Sequence, residues 1–198
     1  LWNTDEGRRI GLSYFHERGF SDATIKAFQL GYVPEFGNAF ATAALAHGFD
    51  AELLEKAGWI KRREDASRTP WDFFAGRVTF PVLGLSGQPI AFGARTLKSD
   101  KKLPKYFNSP ESLLYIKSRS LYGIYQAKKA IVEQQLCYLV EGYTDVISLH
   151  QAGIHNVVAS SGTSLTEDQV RLIKRYSPTV SILYDGDAAG MKASLRGI

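Results

Sequence analysis

The sequence predicts a mixed α/β protein, in which an α+β amino-terminal part precedes a Rossmann-like parallel sheet. After residue 119, apolar runs of strand length alternate with helical patterns, as in successive βαβ units. The first 55 residues show helical patterns closed by glycines. Between these regions, two β-rich runs flank Ser86-Gly87, which is typical of a hairpin. We therefore divide the chain into a first domain, residues 1–119, and a second, residues 120–198.

Four helices are predicted in the first 55 residues. Residues 4–18 carry apolar side chains at helical spacing, and a glycine follows them. Ser21 is predicted to cap a second helix that ends at Gly31. Residues 38–47 and 50–57 predict two shorter helices, each closed by a glycine. Nothing in these helices suggests catalysis.

An extended pattern replaces the helical one from residue 59 onwards. Residues 77–85 and 88–97 predict the two strands of the hairpin. Residues 98–110 are predicted to form a loop that interleaves lysines with Tyr106 and Phe107. Cations for phosphates and flat rings for bases are what a single-strand binding groove needs. A charged loop around a buried aromatic pair has the same composition, so both interpretations remain open.

The net charge of +4 is unevenly distributed along the chain. Residues 56–129 carry fifteen Lys or Arg against five Asp or Glu, a net charge of +10. The flanking segments are acidic, with four basic against eight acidic residues before this block and five against seven after it. Such a block suggests that the chain holds a polyanion, although a solvated basic face has the same signature.

The second domain is predicted to begin with a helix over about residues 120–134. Each crossover between its parallel strands should be right-handed. Thr166 is predicted to cap the helix over residues 166–176, with Glu167 in its first turn. The strands are predicted at residues 136–140, 156–160 and 180–184, and the helices that follow them at residues 143–151, 166–176 and from 188 onwards.

Acidic residues follow two of these strands, as Glu141-Gly142 and as Asp185-Gly186-Asp187. The carboxyl ends of parallel strands lie at one edge of a sheet, so the three carboxylates should converge there. Close carboxylates persist as anions only if a cation or donors offset their charge. Oxygen ligands without His or Cys favour Mg²⁺ or Mn²⁺ over Zn²⁺. The alternative is that Asp185-Gly186-Asp187 is only a turn followed by a helix cap.

The composition is that of a soluble globular protein, with 44% hydrophobic and 22% charged residues. No apolar run approaches the length of a membrane span and no secretory leader is present, so we expect a cytoplasmic location. The single cysteine, Cys137, lies inside an apolar run and is predicted to be a core residue; disulfides and cysteine zinc sites within the chain are excluded. Because the chain lacks an initiator methionine and stops at Ile198 within or after a predicted helix, we expect a piece of a longer polypeptide.

Several short motifs resemble those of a known family. Glu141-Gly142-Tyr143 and residues 185–190, with Ser161-Gly162-Thr163 between them, resemble a Toprim domain, the metal-binding fold shared by bacterial primases, topoisomerases and some nucleases. Upstream segments favour the primases among these proteins, because they resemble the RNA polymerase core of DnaG-type primases in order and spacing. These segments are residues 76–82, 93–97 and 104–110, and residues 20–32 resemble the start of that core.

The resemblance implies roles for particular residues. By this resemblance Glu141 is the essential catalytic acid and a metal ligand, while Asp185 and Asp187 hold the Mg²⁺ or Mn²⁺ ions that bind the phosphates of the incoming nucleotide. The same resemblance implies a basic groove for the template strand and the nascent RNA–DNA hybrid, formed by Arg77, Arg95, Lys105, Tyr106 and Asn108.

The implied function is that of a DNA primase catalytic core, which synthesises short RNA primers from NTPs on single-stranded DNA during replication. Such primases also carry an amino-terminal zinc-binding domain and a carboxyl-terminal domain that meets the replicative helicase in the primosome. Neither domain resembles any part of this chain. The family's further acidic pair in Toprim and the helical subdomain beyond it have no counterpart here either, so we expect an incomplete core with a partial Toprim domain. Two alternatives remain open: another Toprim enzyme, such as a nuclease or a topoisomerase-like enzyme, or a DNA-binding segment that is inactive on its own.

Overall fold

The computed structural model describes residues 1–35, 38–62, 64–65, 69–98, 104–160 and 165–184. These residues belong to two units. The first unit comprises Leu1–Pro81 and Ala91–Tyr115, and the second comprises Val82–Ile90 and Ile116–Ile198. No helix in the described ranges is both long enough and apolar enough to cross a membrane.

Helices form the amino-terminal part of the first unit, as the sequence predicts. The predicted helix over residues 4–18 is divided, because its first part is a π-helix, Gly7–Leu12, that continues directly into α1. Gly11 lies against Tyr32, where an added Cβ would come within 2.5 Å of the tyrosine Cβ. Asp50 and Ser21 cap their helices through side-chain oxygens. The α-helices are α1, Ser13–Glu17; α2, Asp22–Ala27; α3, Ala39–Ala46; and α4, Ala51–Lys56.

Gly31 does not terminate a helix, so this prediction was wrong. Helix α2 ends at Ala27, and Gln29 turns the chain with a positive φ of 52°. Gly31 then begins strand β1, Gly31–Val33. A Cβ on Gly31 would lie 2.5 Å from Oγ1 of Thr79, its partner on the neighbouring strand. The glycine is therefore required by close strand pairing rather than by a helix end.

A four-stranded sheet with the order β1-β4-β5-β6 contains the predicted hairpin. At its turn, the amide of Gly84 donates to the carbonyl of Gln88 over 2.9 Å. The predicted loop over residues 98–110 is partly wrong, because three of its residues form β6 and pair antiparallel with β5. A separate two-stranded ladder was not predicted. The remaining strands of the first 110 residues are β2, Ile60–Lys61; β3, Trp71–Asp72; β4, Arg77–Leu83; β5, Pro89–Thr96; and β6, Tyr106–Asn108.

The second unit contains a three-stranded parallel sheet with the order β8-β7-β9, which confirms the predicted βαβ alternation. A short 3₁₀ helix, Lys117–Arg119, precedes it. The helix predicted from residue 188 lies outside the described residues. The elements are α5, Ile124–Gln134; β7, Cys137–Val140; α6, Tyr143–Gln151; β8, Val157–Ala159; α7, Glu167–Lys174; and β9, Val180–Ile182.

The core of the second unit is built around β7. Cys137 and Leu139 are fully buried, and they pack with Ile131 of α5, Val158 of β8 and Ile173 of α7. Cys137 is therefore a core residue, as predicted. Burial raises the pKa of its thiol to about 12.

Thr166 caps α7 as predicted, because its side-chain oxygen accepts a hydrogen bond from the Gln169 amide over 3.2 Å. Its hydroxyl also donates to the carbonyl of Ser118 over 2.5 Å. We expect Thr166→Ala to lower the free energy of unfolding by about 1 kcal/mol, since an amide at the helix start loses its acceptor. Urea denaturation measures this. Thr166→Ser keeps the hydroxyl and should lose less, so equal losses in both variants would contradict the capping role.

The raised pKa of Cys137 predicts an unreactive thiol. A thiol whose pKa is raised stays protonated at pH 8, and only the thiolate attacks a disulfide reagent. We expect the folded chain to react with Ellman's reagent about 10³-fold more slowly than free cysteine. The same chain unfolded in guanidinium should react at the rate of free cysteine. Rapid labelling of the folded chain would contradict the burial of this thiol.

Candidate functional site

The carboxyl ends of the three parallel strands bring Glu141, Ser160 and Tyr184 together. Glu141 and Ser160 directly follow β7 and β8, and Tyr184 lies two residues after β9. The Tyr184 pKa is raised, first by burial and then by the negative charge of Glu141, while a hydrogen bond with Ser160 acts in the opposite direction. Ser160 therefore lies within hydrogen-bond reach of the Tyr184 hydroxyl, and Glu141 is near enough to act on that hydroxyl electrostatically. Glu141 occupies the sheet edge that the strand pattern predicts.

The start of α6 holds the backbone that follows Glu141. The Gly142 amide donates to Oδ2 of Asp145 over 2.9 Å, so the helix caps its own first turn. A Cβ on Gly142 would lie only 3.0 Å from that carboxylate oxygen. Tyr143 is buried, and its ring meets the Tyr122 ring edge-on at 4.7 Å between centroids. The glutamate is therefore presented from a rigid strand-to-helix turn.

The described side chains at this edge offer oxygen atoms only. Glu141 supplies a half-buried carboxylate, and Ser160 and Tyr184 supply hydroxyl oxygens. The part of the chain that the structure describes contains no group of three or more His, Cys, Asp or Glu side chains placed to hold a metal. Asp185 and Asp187 lie outside the described residues, as does Ser161-Gly162-Thr163. The three-carboxylate metal site stays a prediction.

In the first unit, Arg95 lies between two tyrosine rings. It pairs across β5 and β6 with Tyr106. Its guanidinium carbon lies 5.2 Å from the Tyr14 ring centroid and 5.9 Å from that of Tyr106, and Nη1 donates to the Tyr14 hydroxyl. Its Nε is buried without an acceptor among the described residues. Tyr14, 81 residues away, had no role in the sequence-based site.

Arg77 is held by a different aromatic ring. Its Nη1 donates to the carbonyl of Ala75 over 2.8 Å, and its guanidinium carbon lies 5.5 Å from the Phe107 ring centroid. Consecutive strand residues point to opposite faces, so Phe107 and Tyr106 lie on opposite faces of β6. The structure therefore brings Arg77 and Arg95 to β6 from opposite sides rather than into one row.

Lys105 and Asn108 border the same short strand. The Lys105 side chain is exposed, and its carbonyl accepts from the Thr96 amide over 3.1 Å, which extends the pairing of β5 and β6. Asn108 is half-buried opposite Gly93. The Tyr106 side chain is 39% exposed, so its ring is accessible for stacking. By the same alternation Tyr106 and Asn108 share one face of β6, and Lys105 adds an exposed cation just before the strand.

Comparison with known proteins assigns both parts of the chain. Residues 2–128 match the family described as DNA primase catalytic core, N-terminal domain, and residues 138–198 match the Toprim-like family. The chain belongs to the DnaG-type DNA primases. The resemblance seen in the sequence is thereby confirmed. The DNA primase of Halalkalibacterium halodurans is 43% identical over 99% of this chain, which covers 32% of that relative. The chain thus spans about a third of the length of the curated primases that it matches.

Solved primase structures share this fold. The Aquifex aeolicus primase, with its zinc-binding and RNA polymerase domains, superposes with a TM-score of 0.89 at 35% identity, over 100% of this chain and 47% of that one. The RNA polymerase domain of Mycobacterium tuberculosis primase, in complex with a double-stranded DNA oligomer carrying a 6-nucleotide overhang, gives 0.88 at 33% identity, over 98% and 62%. The predicted mixed α/β fold is therefore confirmed.

The contact between Glu141 and Tyr184 can be tested by titration. Since the carboxylate raises the Tyr184 pKa, Glu141→Gln should lower that pKa, and the phenol should ionise at a lower pH. The ¹³C resonance of the Tyr184 ring carbon bonded to oxygen measures this across alkaline pH. Glu133→Gln makes the same change at an exposed carboxylate of α5, which is not among the groups that act on Tyr184, and it should leave the titration unchanged. An unchanged Tyr184 titration in Glu141→Gln would show that the Glu141 carboxylate does not act on the Tyr184 hydroxyl.

Proposed function

We propose that this chain is a primase catalytic segment that synthesises short RNA primers on a single-stranded DNA template during replication. The observation that carries the proposal is the match of residues 2–128 and 138–198 to the two parts of a primase core. We propose that residues 1–119 hold nucleic acid and that residues 120–198 hold the chemical site. A primase acts where the chromosome is, so we expect the chain in the cytoplasm.

The chemistry that we propose is metal-assisted nucleotidyl transfer. Glu141, Asp185 and Asp187 would hold divalent cations, Mg²⁺ or Mn²⁺, through their carboxylate oxygens. Such cations would lower the pKa of the primer 3′-hydroxyl and would neutralise the charge of the NTP triphosphate. The protein contributes position, because Glu141 extends from the turn between β7 and α6, which the Gly142–Asp145 hydrogen bond holds. The half-buried carboxylate can thus keep its place as nucleotides enter and leave.

We propose that the template and the nascent hybrid bind along β6. Arg95 and Arg77 are oriented by aromatic rings before any ligand arrives, which lowers the entropy lost on binding. Lys105 adds an exposed charge for a phosphate, and the accessible Tyr106 ring can stack on a base. Asn108 adds a polar side chain to the same strand. The DNA-bound structure of the Mycobacterium tuberculosis relative supports this choice of partner.

One assay separates primase from the other possibilities. The chain is incubated with Mg²⁺ or Mn²⁺, a single-stranded template and NTPs. RNA products support primer synthesis, shortened DNA supports a nuclease, and retained DNA binding without products supports a segment that is inactive on its own. In the last case, the chain replaces the matched segment of the Halalkalibacterium halodurans primase, and the assay is repeated. A helicase partner would be tested in that larger protein.

Glu141→Gln tests the catalytic role. The amide keeps the shape of the side chain but loses the charge that attracts a divalent cation, so we expect RNA synthesis to fall on the order of 10²-fold or more. Single-stranded DNA binding should change less than about twofold, because the substitution removes no lysine or arginine that contacts DNA phosphates. Primer-extension gels and fluorescence anisotropy measure the two quantities.

Glu133→Gln is the matched control for this variant, since it makes the same change at an exposed carboxylate of α5 outside the proposed site. It should retain most of the synthesis. If Glu141→Gln synthesises RNA as rapidly as the parent, the glutamate has no catalytic role. A loss of DNA binding equal to the loss of synthesis would instead make it a binding residue.

Replacing Arg95 and Lys105 by alanine tests the nucleic-acid interface. We expect weaker binding of single-stranded DNA and a shallower dependence on salt, by about one unit of slope for each lost phosphate contact. Anisotropy titrations across a salt series measure the slope. Lys56→Ala, on an exposed lysine of α4 outside the proposed interface, should leave the slope unchanged. An unchanged slope in the double variant would remove both residues from the interface.

A further inference from the structure

The second unit contains a groove of about 460 Å³, lined by the start of α5, one side of α7 and the turn of the β4–β5 hairpin. All of its lining residues belong to this unit, and none belongs to the site proposed for primer synthesis. Small-molecule sites usually have volumes of about 300–1,000 Å³. Leu121 and Leu172 line the groove and also belong to the apolar core of the unit, so the groove opens onto that core. The other apolar side chains of the lining are Leu83, Leu85, Ile90 and Ile124.

Three arginines also line this groove, against a single aspartate. The Asp168 carboxylate accepts from Nε of Arg119 over 3.0 Å and lies 3.5 Å from Nη1 of Arg171. Nη2 of Arg171 donates to Glu167 over 3.1 Å. Asp168 therefore orients two guanidinium groups beside the apolar lining. It leaves the two Nη groups of Arg119 without an acceptor among the described residues.

The spacing along α7 places charges on both sides of an apolar residue. Residues three, four and seven positions apart lie on one side of a helix, which here carries Asp168, Arg171, Leu172 and then Arg175. Arg175 directly follows the helix and keeps helical backbone angles. The groove therefore has cationic groups next to an exposed part of the core.

Arg175 distinguishes this groove from a set of ordinary surface ion pairs. Its exposed side chain has no hydrogen-bond or ion-pair partner in the part of the chain that the structure describes. A guanidinium group presents several N–H donors that match the oxygens of a carboxylate or a phosphate. Arg175 is therefore available to a ligand, whereas Arg171 is already paired with carboxylates.

We propose that this groove binds a small amphiphilic anion, a molecule in which an apolar ring or chain carries one carboxylate or phosphate group. The apolar part packs on Leu121 and Leu172, and the anionic group accepts from Arg175. A nucleic-acid strand fits the groove less well, because the carboxylates of Asp168 and Glu167 lie beside the arginines and would repel a row of phosphates. This inference does not rest on the proposed primer synthesis.

The test compares 4-phenylbutyrate with 4-phenylbutanamide, which share an apolar body but differ in the charge of the head group. Affinities are measured by NMR titration of the 198-residue chain and of Arg175→Gln. We expect the ratio of carboxylate affinity to amide affinity to fall roughly 3- to 10-fold in this variant, the effect of one charge-assisted hydrogen bond at an exposed site. Any change that the variant makes in the shape of the groove acts on both ligands and cancels in the ratio.

Lys174→Gln is the matched control, because it removes a positive charge from the neighbouring exposed residue, which does not line the groove. It should leave the affinity ratio nearly unchanged. An equal fall in both variants would mean that the anion is attracted by net charge alone, and an unchanged ratio in Arg175→Gln would mean that Arg175 does not bind it. Either result overturns the proposal.

The position of the ligand can be tested without any variant. In the parent chain, 4-phenylbutyrate should shift the methyl resonances of Leu121, Leu172 and Ile90, which line the groove. Absence of these shifts at saturating ligand overturns the proposal. Because the readout is a methyl resonance, the result is independent of whether the chain synthesises RNA.

A third ligand, 4-phenylbutyl phosphate, distinguishes the two kinds of head group. Tighter binding of the phosphate than of 4-phenylbutyrate assigns the groove to phosphate esters, and tighter binding of the carboxylate assigns it to carboxylic acids. Both results support the inference, and failure of both ligands to bind overturns it. If a single-stranded DNA oligonucleotide displaces 4-phenylbutyrate and shifts the same methyl resonances, the groove binds nucleic acid and the proposal is wrong.

Discussion

The second unit depends on the burial of β7 on both faces and along both edges. The strand is hydrogen-bonded to β8 on one side and to β9 on the other, and Leu139 is fully buried. A charged side chain inside such a strand would lose its hydration without compensation. The first position that can hold a charged side chain is the residue after Val140. The burial of β7 therefore accounts for the position of Glu141 at the sheet edge.

In the first unit, arginine side chains are held against aromatic rings. Arg95 contacts Tyr14 and Tyr106, while Arg77 contacts Phe107. An arginine that stacks on a ring keeps its charge and several donors, but loses much of its rotational freedom before a ligand binds. The net charge of +10 across residues 56–129 can attract a polyanion from a distance. The aromatic contacts determine where the guanidinium groups of Arg77 and Arg95 lie.

Most of the fold could be predicted where a pattern is long enough to carry information. The hairpin of β4 and β5 and the alternating elements after residue 119 were predicted correctly. The strands that were missed are two or three residues long, as in β2, β3 and β6, and too short to show an alternation. Gly31 was assigned to a helix end because glycine serves both there and at close strand contacts. Only the partner strand distinguishes these two uses.

The sequence by itself determined the family, the parallel sheet and the position of Glu141 at its edge, since each follows from local motifs or from apolar runs that end in polar residues. The tertiary structure alone decided that Tyr14 holds Arg95, that Arg77 and Arg95 meet β6 from opposite faces, and that Trp59 directs a buried donor without an acceptor among the described residues. These features depend on strand register and on contacts between distant residues. Local periodicity does not specify such pairings, because it records which side of an element is buried but not what covers it.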